Sequence, residues 1–174
     1  MSQHQVGRFE ALVLPHLDDA YTLARYLLHD EHDAQDVVQD AALRAFRYFG
    51  GFRGEDARAW FLAIVRTCCL TWQRRHRADR RSVPLVDDRA SAAEEPRSAD
   101  ALAIERSERA AIRRAVADLP AEYREVIVLR ELQGLTYAQI GDVLGVPIGT
   151  VMSRLARARR RLAQALGRGA QEAS

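Results

Sequence analysis

Three aspartates, Asp33, Asp36 and Asp40, stand at i, i+3 and i+7, a spacing that puts their carboxylates on one face of a helix. Carboxylates so placed could work as an acid–base pair or hold a cation, but either chemistry needs a further ligand or a facing group. No histidine and no second acidic helix completes such a site, so the enzyme reading, a nuclease for example, is not favoured. Asp33 reads as the helix N-cap, and the acids near it suit the positive end of the helix dipole. Cys68 and Cys69 are adjacent in a helical pattern, so their side chains point in different directions and a structural disulfide is not expected. His76 alone does not complete a zinc set with them. They are expected to be buried packing residues. The expectation is therefore no catalytic residue, no metal and no cofactor.

The chemistry that does stand out is recognition of nucleic acid. The stretch from Thr136 to Leu162 predicts two short helices joined by a tight turn. Thr136 and Gln139 form a capping-box pattern, and Tyr137, Ile140, Val143 and Leu144 then recur at helical spacing. Gly145 suits the left-handed position that ends a helix, and Pro147 suits the first turn of the next. In the second helix Val151, Leu155, Ala158 and Leu162 form the inward stripe, with Met152, Ser153, Ala156, Arg157 and Arg160 largely opposite. Between Ile148 and Gly167 there are five arginines and no acid. This is the helix-turn-helix pattern, whose second helix can enter a major groove. Gly149 and Thr150 would bring N–H groups and a hydroxyl near a phosphate. The competing reading is an amphipathic surface helix with a solvated basic face.

Two further surfaces carry recognition chemistry. The helical pattern Ala57 to Arg75 holds Trp60, Phe61, Ile64, Val65, Cys68 and Leu70, then runs into a basic end with Arg74, Arg75, Arg77, Arg80 and Arg81. Arginines interleaved with aromatics suit single-stranded nucleic acid, although Trp60 and Phe61 themselves are expected in the core. On the preceding helix, Gln39, Asp40, Leu43 and Arg44 make a mixed outer face suited to docking on a protein.

The elements that position these groups are all helical, and no strand pattern is found. Val6 to Leu28 reads as a helix kinked or split at Pro15, followed by a turn at His29 to His32. The helix Asp33 to Phe49 buries Val37, Val38, Ala41, Ala42, Ala45, Phe46 and Phe49, and Gly50, Gly51 and Gly54 break it. Ser82 to Ala101 is rich in Pro, Ser, Ala and acids, and reads as a flexible linker. Fully extended at about 3.3 Å per residue, it would span roughly 65 Å. That is close to the ~70 Å of two turns of B-DNA. Beyond it, Ala103 to Leu119 is expected to turn Ile104, Ala111, Ile112, Ala115, Val116 and Leu119 inward. A further helix runs from Pro120 to its stop at Gly134, and Gly167 and Gly169 are expected to end the ordered chain. The fold class is all-α: two small helical modules, residues 6–81 and 102–167, joined by linker 82–101, the second containing the helix-turn-helix. Net charge is only +2, and every one of the 26 basic residues is arginine, so charge placement matters more than its total. The polar N-terminus lacks an apolar signal region and no run could span a bilayer, so a cytosolic protein without membrane insertion is expected.

In this order the motifs resemble a bacterial RNA polymerase sigma factor of the extracytoplasmic function, or group IV, type. DLPAEYREVIVLRELQGLTYAQIGDVLGVPIGTVMSRLARARRRL resembles region 4, DAQDVVQDAALRAFRYFGGF region 2.2, and ARAWFLAIVRTCCLTWQRRHR regions 2.3 and 2.4. The resemblance implies that Asp36, Gln39, Asp40, Leu43, Arg44 and Arg47 dock on the clamp helices of β′ in core RNA polymerase, with a further contact at the flap of β. It implies that Phe52, Arg53, Arg66, Thr67, Thr71, Arg74 and Arg75 melt and hold the −10 element of promoter DNA. Thr150, Met152, Ser153, Ala156, Arg157 and Arg159 would hold the −35 element, Thr150 and Arg159 through phosphates. Thr67 and Thr71 stand where the family usually has asparagine and aspartate, and Met152 replaces a commoner basic residue. An anti-sigma factor as partner is also implied. The alternative is a stand-alone helix-turn-helix regulator, which would need a ligand or receiver domain that the first module does not offer.

Overall fold

Residues 3–54, 56–81 and 100–172 are described by the computed structural model, with side chains over 3–54, 56–77 and 107–167. The chain begins with α1 (Gln3–Val13) and α2 (Leu17–Leu28), separated by a 3-10 turn at Leu14–His16 that carries Pro15. Proline thus splits the first helical run in two. His29 ends α2 in the left-handed conformation, φ 62°, its N–H bonded to the Arg25 carbonyl. The expected four-residue turn is shorter than its polarity suggested, because α3 (Glu31–Tyr48) starts at once. Its cap is Asp30 and not Asp33: Asp30 has the extended backbone of an N-cap, and its carboxylate accepts the Asp33 N–H at 2.9 Å. A 3-10 turn at Phe49–Gly51 follows, then α4 (Ala57–Arg81), where Asp56 accepts the Ala59 N–H at 2.9 Å. Helices α2, α3 and α4 pack together with α1 against them, around Leu23, Phe61, Leu62 and Val65.

The second module holds α5 (Asp100–Ala117), α6 (Ala121–Ile127), α7 (Tyr137–Leu144) and α8 (Ile148–Glu172). Asp100 and Ala101, expected in the linker, are the first residues of α5, while 82–99 lie outside the described residues, as does the side chain of Ile104. Ile112, expected inward, is exposed, since α5 meets the core through Val116 in its last turn, with Leu119 just beyond the helix. The run from Pro120 does not stay α-helical to Gly134. Val128–Leu132 forms a π turn, with the Gln133 N–H reaching back to the Val128 carbonyl at 3.1 Å. The wider turn shifts the register, so Leu129 and Leu135 are buried while Leu132 swings out. Gly134, φ 68°, then reverses the chain. At the far end α8 continues through Gly167 to Glu172, because an isolated glycine costs a helix only about 1 kcal/mol. Among the described residues there is no strand, and no helix is long and apolar enough to cross a membrane.

The helix-turn-helix is assembled as its residues dictate. Thr136 and Gln139 exchange both capping-box bonds, at 2.8 and 3.2 Å, and Gly145 ends α7 with φ 66°. Pro147 sits just outside α8 instead of in its first turn, its carbonyl accepting the Thr150 and Val151 N–H groups. Gly141 is the point of closest approach: the Val146 N–H bonds its carbonyl, and a Cβ there would lie 2.9 Å from the Val146 oxygen. Gly141→Ala is therefore expected to destabilise the second module by about 1–3 kcal/mol, because the obstacle is backbone. Chemical denaturation should show the loss, and an unchanged midpoint would contradict the turn geometry.

Candidate polymerase and nucleic-acid interface

On α3 the side chains of Asp36, Gln39, Asp40, Leu43, Arg44 and Arg47 are all exposed, opposite the buried stripe Val37, Val38, Ala41 and Ala45. Leu43 is 54% exposed, an apolar group left in a polar face. A shallow groove between α3 and α4 is lined by Asp40, Arg44, Cys68, Thr71, Trp72, Arg75 and His76. The docking face and the basic end of α4 are therefore contiguous. The rings of Trp72 and His76 stack with centroids 3.6 Å apart, one turn from each other.

The −10 set divides. Arg74 and Arg75 are exposed and have no partner among the described residues, and Arg53 is exposed in the loop. Thr67 and Thr71 donate their hydroxyls to the carbonyls of Ala63 and Thr67 on their own helix, which leaves their oxygens as acceptors. Phe52, expected at the DNA, is buried: it stacks on Phe49 and packs against Trp60, centroids 5.8 and 4.9 Å away. Phe61 is core as expected, whereas Trp60 is only half-buried within that aromatic cluster. Arg66 is not free either. Its guanidinium grips both oxygens of Glu125 on α6, at 2.9 and 3.2 Å, with the Glu125 side chain 4% exposed.

That pair belongs to a set of polar contacts between the modules which the sequence did not signal. Arg58 bonds Asp19 and the Gln133 carbonyl, both at 2.7 Å. The Gln133 amide donates to the Asp19 carbonyl, the Gln139 amide to Asp56, and Arg124 to the Tyr26 carbonyl. Together they seat α4 on α7 and α2 on α6. The seam is imperfect, since Gln133 Oε1 and Arg124 Nε are buried without a partner. Burial also pushes the Arg124 guanidinium down from its ordinary pKa. It likewise depresses the neighbouring His29 imidazole, with Arg124 adding to the effect.

On α8 the faces follow the sequence reading, with Val151, Leu155 and Ala158 buried and Met152, Ser153, Ala156, Arg157 and Arg160 exposed, although Leu162, also expected inward, is only half-buried. The arginines are not equivalent. Arg159 donates twice to Glu131, at 3.0 and 2.7 Å, Arg154 lies 3.9 Å from Glu122, and Arg161 stands over the Tyr123 ring. Arg157 and Arg160 have no such partner among the described residues. The half-buried Thr150 spends its N–H on the Pro147 carbonyl. Cys68 and Cys69 are free and buried, and burial lifts the Cys69 thiol to about 12, well away from nucleophilic reactivity at neutral pH. Among the described residues no group of three or more His, Cys, Asp or Glu could hold a metal ion.

Residues 12–79 match the family described as Sigma-70 region 2, and residues 109–162 match Sigma-70, region 4. The RNA polymerase sigma-H factor of Pseudomonas aeruginosa is 35% identical over 167 residues, covering 91% of this chain and 86% of that protein. The ECF RNA polymerase sigma factor SigM of Mycobacterium tuberculosis is 38% identical over 160 residues, 91% of this chain and 77% of its own length. For SigE of Mycolicibacterium smegmatis the values are 32% over 171 residues, 98% of this chain, of which the match spans 66% of the relative. Among solved structures, the sigma factor RpoE bound to the anti-sigma factor NepR from Bartonella quintana superposes with a TM-score of 0.72 at 27% identity, over 92% of this chain and 97% of that one. CnrH in complex with the cytosolic domain of CnrY gives 0.65 at 27% identity, over 91% and 87%.

Proposed function

The chain belongs to the extracytoplasmic function sigma factors of the sigma-70 family, and from that premise we propose how its surfaces divide the work of directing RNA polymerase to a promoter. Residues 6–81 form the module for the polymerase and the −10 element, and residues 102–167 the module for the −35 element. Asp36, Gln39, Asp40, Leu43, Arg44 and Arg47 dock on the clamp helices of β′, and the second module meets the flap of β. Arg53, Arg66, Thr67, Thr71, Arg74 and Arg75 hold the opened −10 strand, with Phe52 supporting the loop from beneath. Met152, Ser153, Ala156 and Arg157 face −35 bases, and Thr150 and Arg159 hold phosphates. The function is binding, without catalysis, and is carried out in the cytosol with the polymerase.

The observation that carries this reading is the sorting of arginines. Arg74, Arg75, Arg157 and Arg160 are exposed and unpartnered among the described residues, while Arg58, Arg154 and Arg161 on the same helices are used internally and the half-exposed Arg159 would share its charge between Glu131 and a phosphate. An unpaired guanidinium keeps its full affinity for phosphate and guanine. The stand-alone regulator is not favoured, since the relatives match across both modules.

The packed arrangement of the modules is the withheld form. Arg66 cannot hold DNA while it holds Glu125, and the solved relatives with the same overall arrangement are bound to an anti-sigma factor and to the cytosolic domain of CnrY. An anti-sigma partner would hold this chain so, and polymerase would separate the modules. Asp40→Arg tests the docking face. It is expected to weaken core polymerase binding about tenfold or more, because like charges meet across an interface, while leaving helix content unchanged. Unchanged polymerase capture would remove α3 from that face.

A further inference from the structure

The outward face of α8 is unusually poor in polar readers. From Ile148 to Leu162 there is no Asn, Gln, Asp or Glu, the side chains that pair with adenine or cytosine edges. Of the arginines in that span, Arg154, Arg159 and Arg161 are held by Glu122, Glu131 and the Tyr123 ring. The Ser153 hydroxyl donates to the Thr150 carbonyl at 3.0 Å, so its proton is spent. Among the described residues, what remains toward the N-terminal turns, where a recognition helix meets bases, is an apolar line and the unpartnered Arg157, with Arg160 unpartnered further along the helix. Ile148 and Met152 are 49% and 53% exposed, and Ala156 continues the line at the same four-residue spacing. Arg157 stands beside it.

We propose that Met152 and Ala156, with Ile148 one turn earlier, read the −35 element by packing on the C5-methyl groups of thymine, and that Arg157 makes the guanine contact next to them. Thymine is the base that offers an apolar group in the major groove. Cytosine and adenine would present amino groups to a thioether and a methyl, stripped of water and without a partner. The apolar line therefore selects for thymine and against the other bases at the same positions. This rests on α8 being the −35 helix.

The test uses the full chain assembled with purified core polymerase. A −35 sequence is first selected from duplexes randomised upstream of a fixed −10 element. Each selected thymine is then replaced by deoxyuridine, which differs only by the methyl group. Loss of one buried methyl is expected to weaken binding about fourfold at one or more positions. The fourfold difference should vanish in Met152→Ala or Ala156→Gly, whose exposed side chains leave folding and polymerase capture intact. Uracil tolerated at every thymine, a selected element without thymine, or the same loss in both variants would overturn the inference. If Arg157→Ala still abolished preference for a selected guanine, α8 would stand as the −35 helix and only the methyl reading would fall. If no −35 preference emerged, both would fall.

Discussion

Charge reversal at Glu125 is expected to separate the two helical modules of the free protein. Glu125→Arg sets a second guanidinium against Arg66, in a place where the native carboxylate is almost fully enclosed and bonded through both oxygens. Removing one partner of a buried pair costs about 3–5 kcal/mol, enough to shift a closed-to-open ratio by about two to three orders of magnitude or more. The cost falls on the seam and not on either module, because separation returns both groups to water. The seam also leaves Gln133 Oε1 and Arg124 Nε unsatisfied. Small-angle scattering should show a larger radius of gyration with helical circular dichroism unchanged. The double reversal Arg66→Glu with Glu125→Arg should restore the compact form. An unchanged radius in the single variant would contradict the pairing as a latch. Loss of helical signal would instead assign Glu125 to the second module's own stability.

Arg157→Ala should produce the largest loss of promoter discrimination among single arginine changes on α8. Arg157 is exposed and without an internal partner among the described residues, so its fork is available to guanine. A bidentate contact to a base is worth about 1–3 kcal/mol of discrimination. Competition binding of the holoenzyme on −35 variants should show that loss confined to one base pair. Arg159→Ala should do less, and uniformly across sequences. Arg159 is shared with Glu131, and the tight pair raises the guanidinium pKa, so its charge is already partly answered within the protein. Equal effects of the two substitutions would contradict the placement of α8.

The sequence spoke plainly where local chemistry decides the structure. Thr136 with Gln139, and Gly145 with its left-handed backbone, define α7 almost residue by residue, and the stripe Val151, Leu155 and Ala158 orients α8. Pro15 marked a break that the chain indeed makes. It was ambiguous where several residues could do one job: Asp30, Glu31 and Asp33 all suit a helix start, and only backbone geometry selects Asp30. The π turn at Val128–Leu132 was hidden because a steady 3.6-residue period allows no inserted residue. The family resemblance put Phe52 at the DNA, but two neighbouring aromatics, Phe49 and Trp60, gave it a better place to be buried.

The seam between modules was hidden for a different reason. Arg66 is a lone charge inside the apolar run WFLAIVRTCCL, whereas Glu125 follows Glu122 and Arg124 in EYREVIVL and reads as one of a local charged group. Arg66 on its own predicts a buried partner, since a buried charge without one is costly, but Glu125 has a local arginine beside it and predicts none. The two are 59 residues apart with the linker between them, and nothing local says that they meet.

The most direct measurement is transcription from a genomic fragment library by purified core polymerase, with and without this protein. New start sites are expected that require the protein and that share two sequence elements at −10 and −35. Arg157→Ala should blur the −35 element and leave the −10 element sharp. No new start sites, together with no binding to core polymerase, would contradict the central claim.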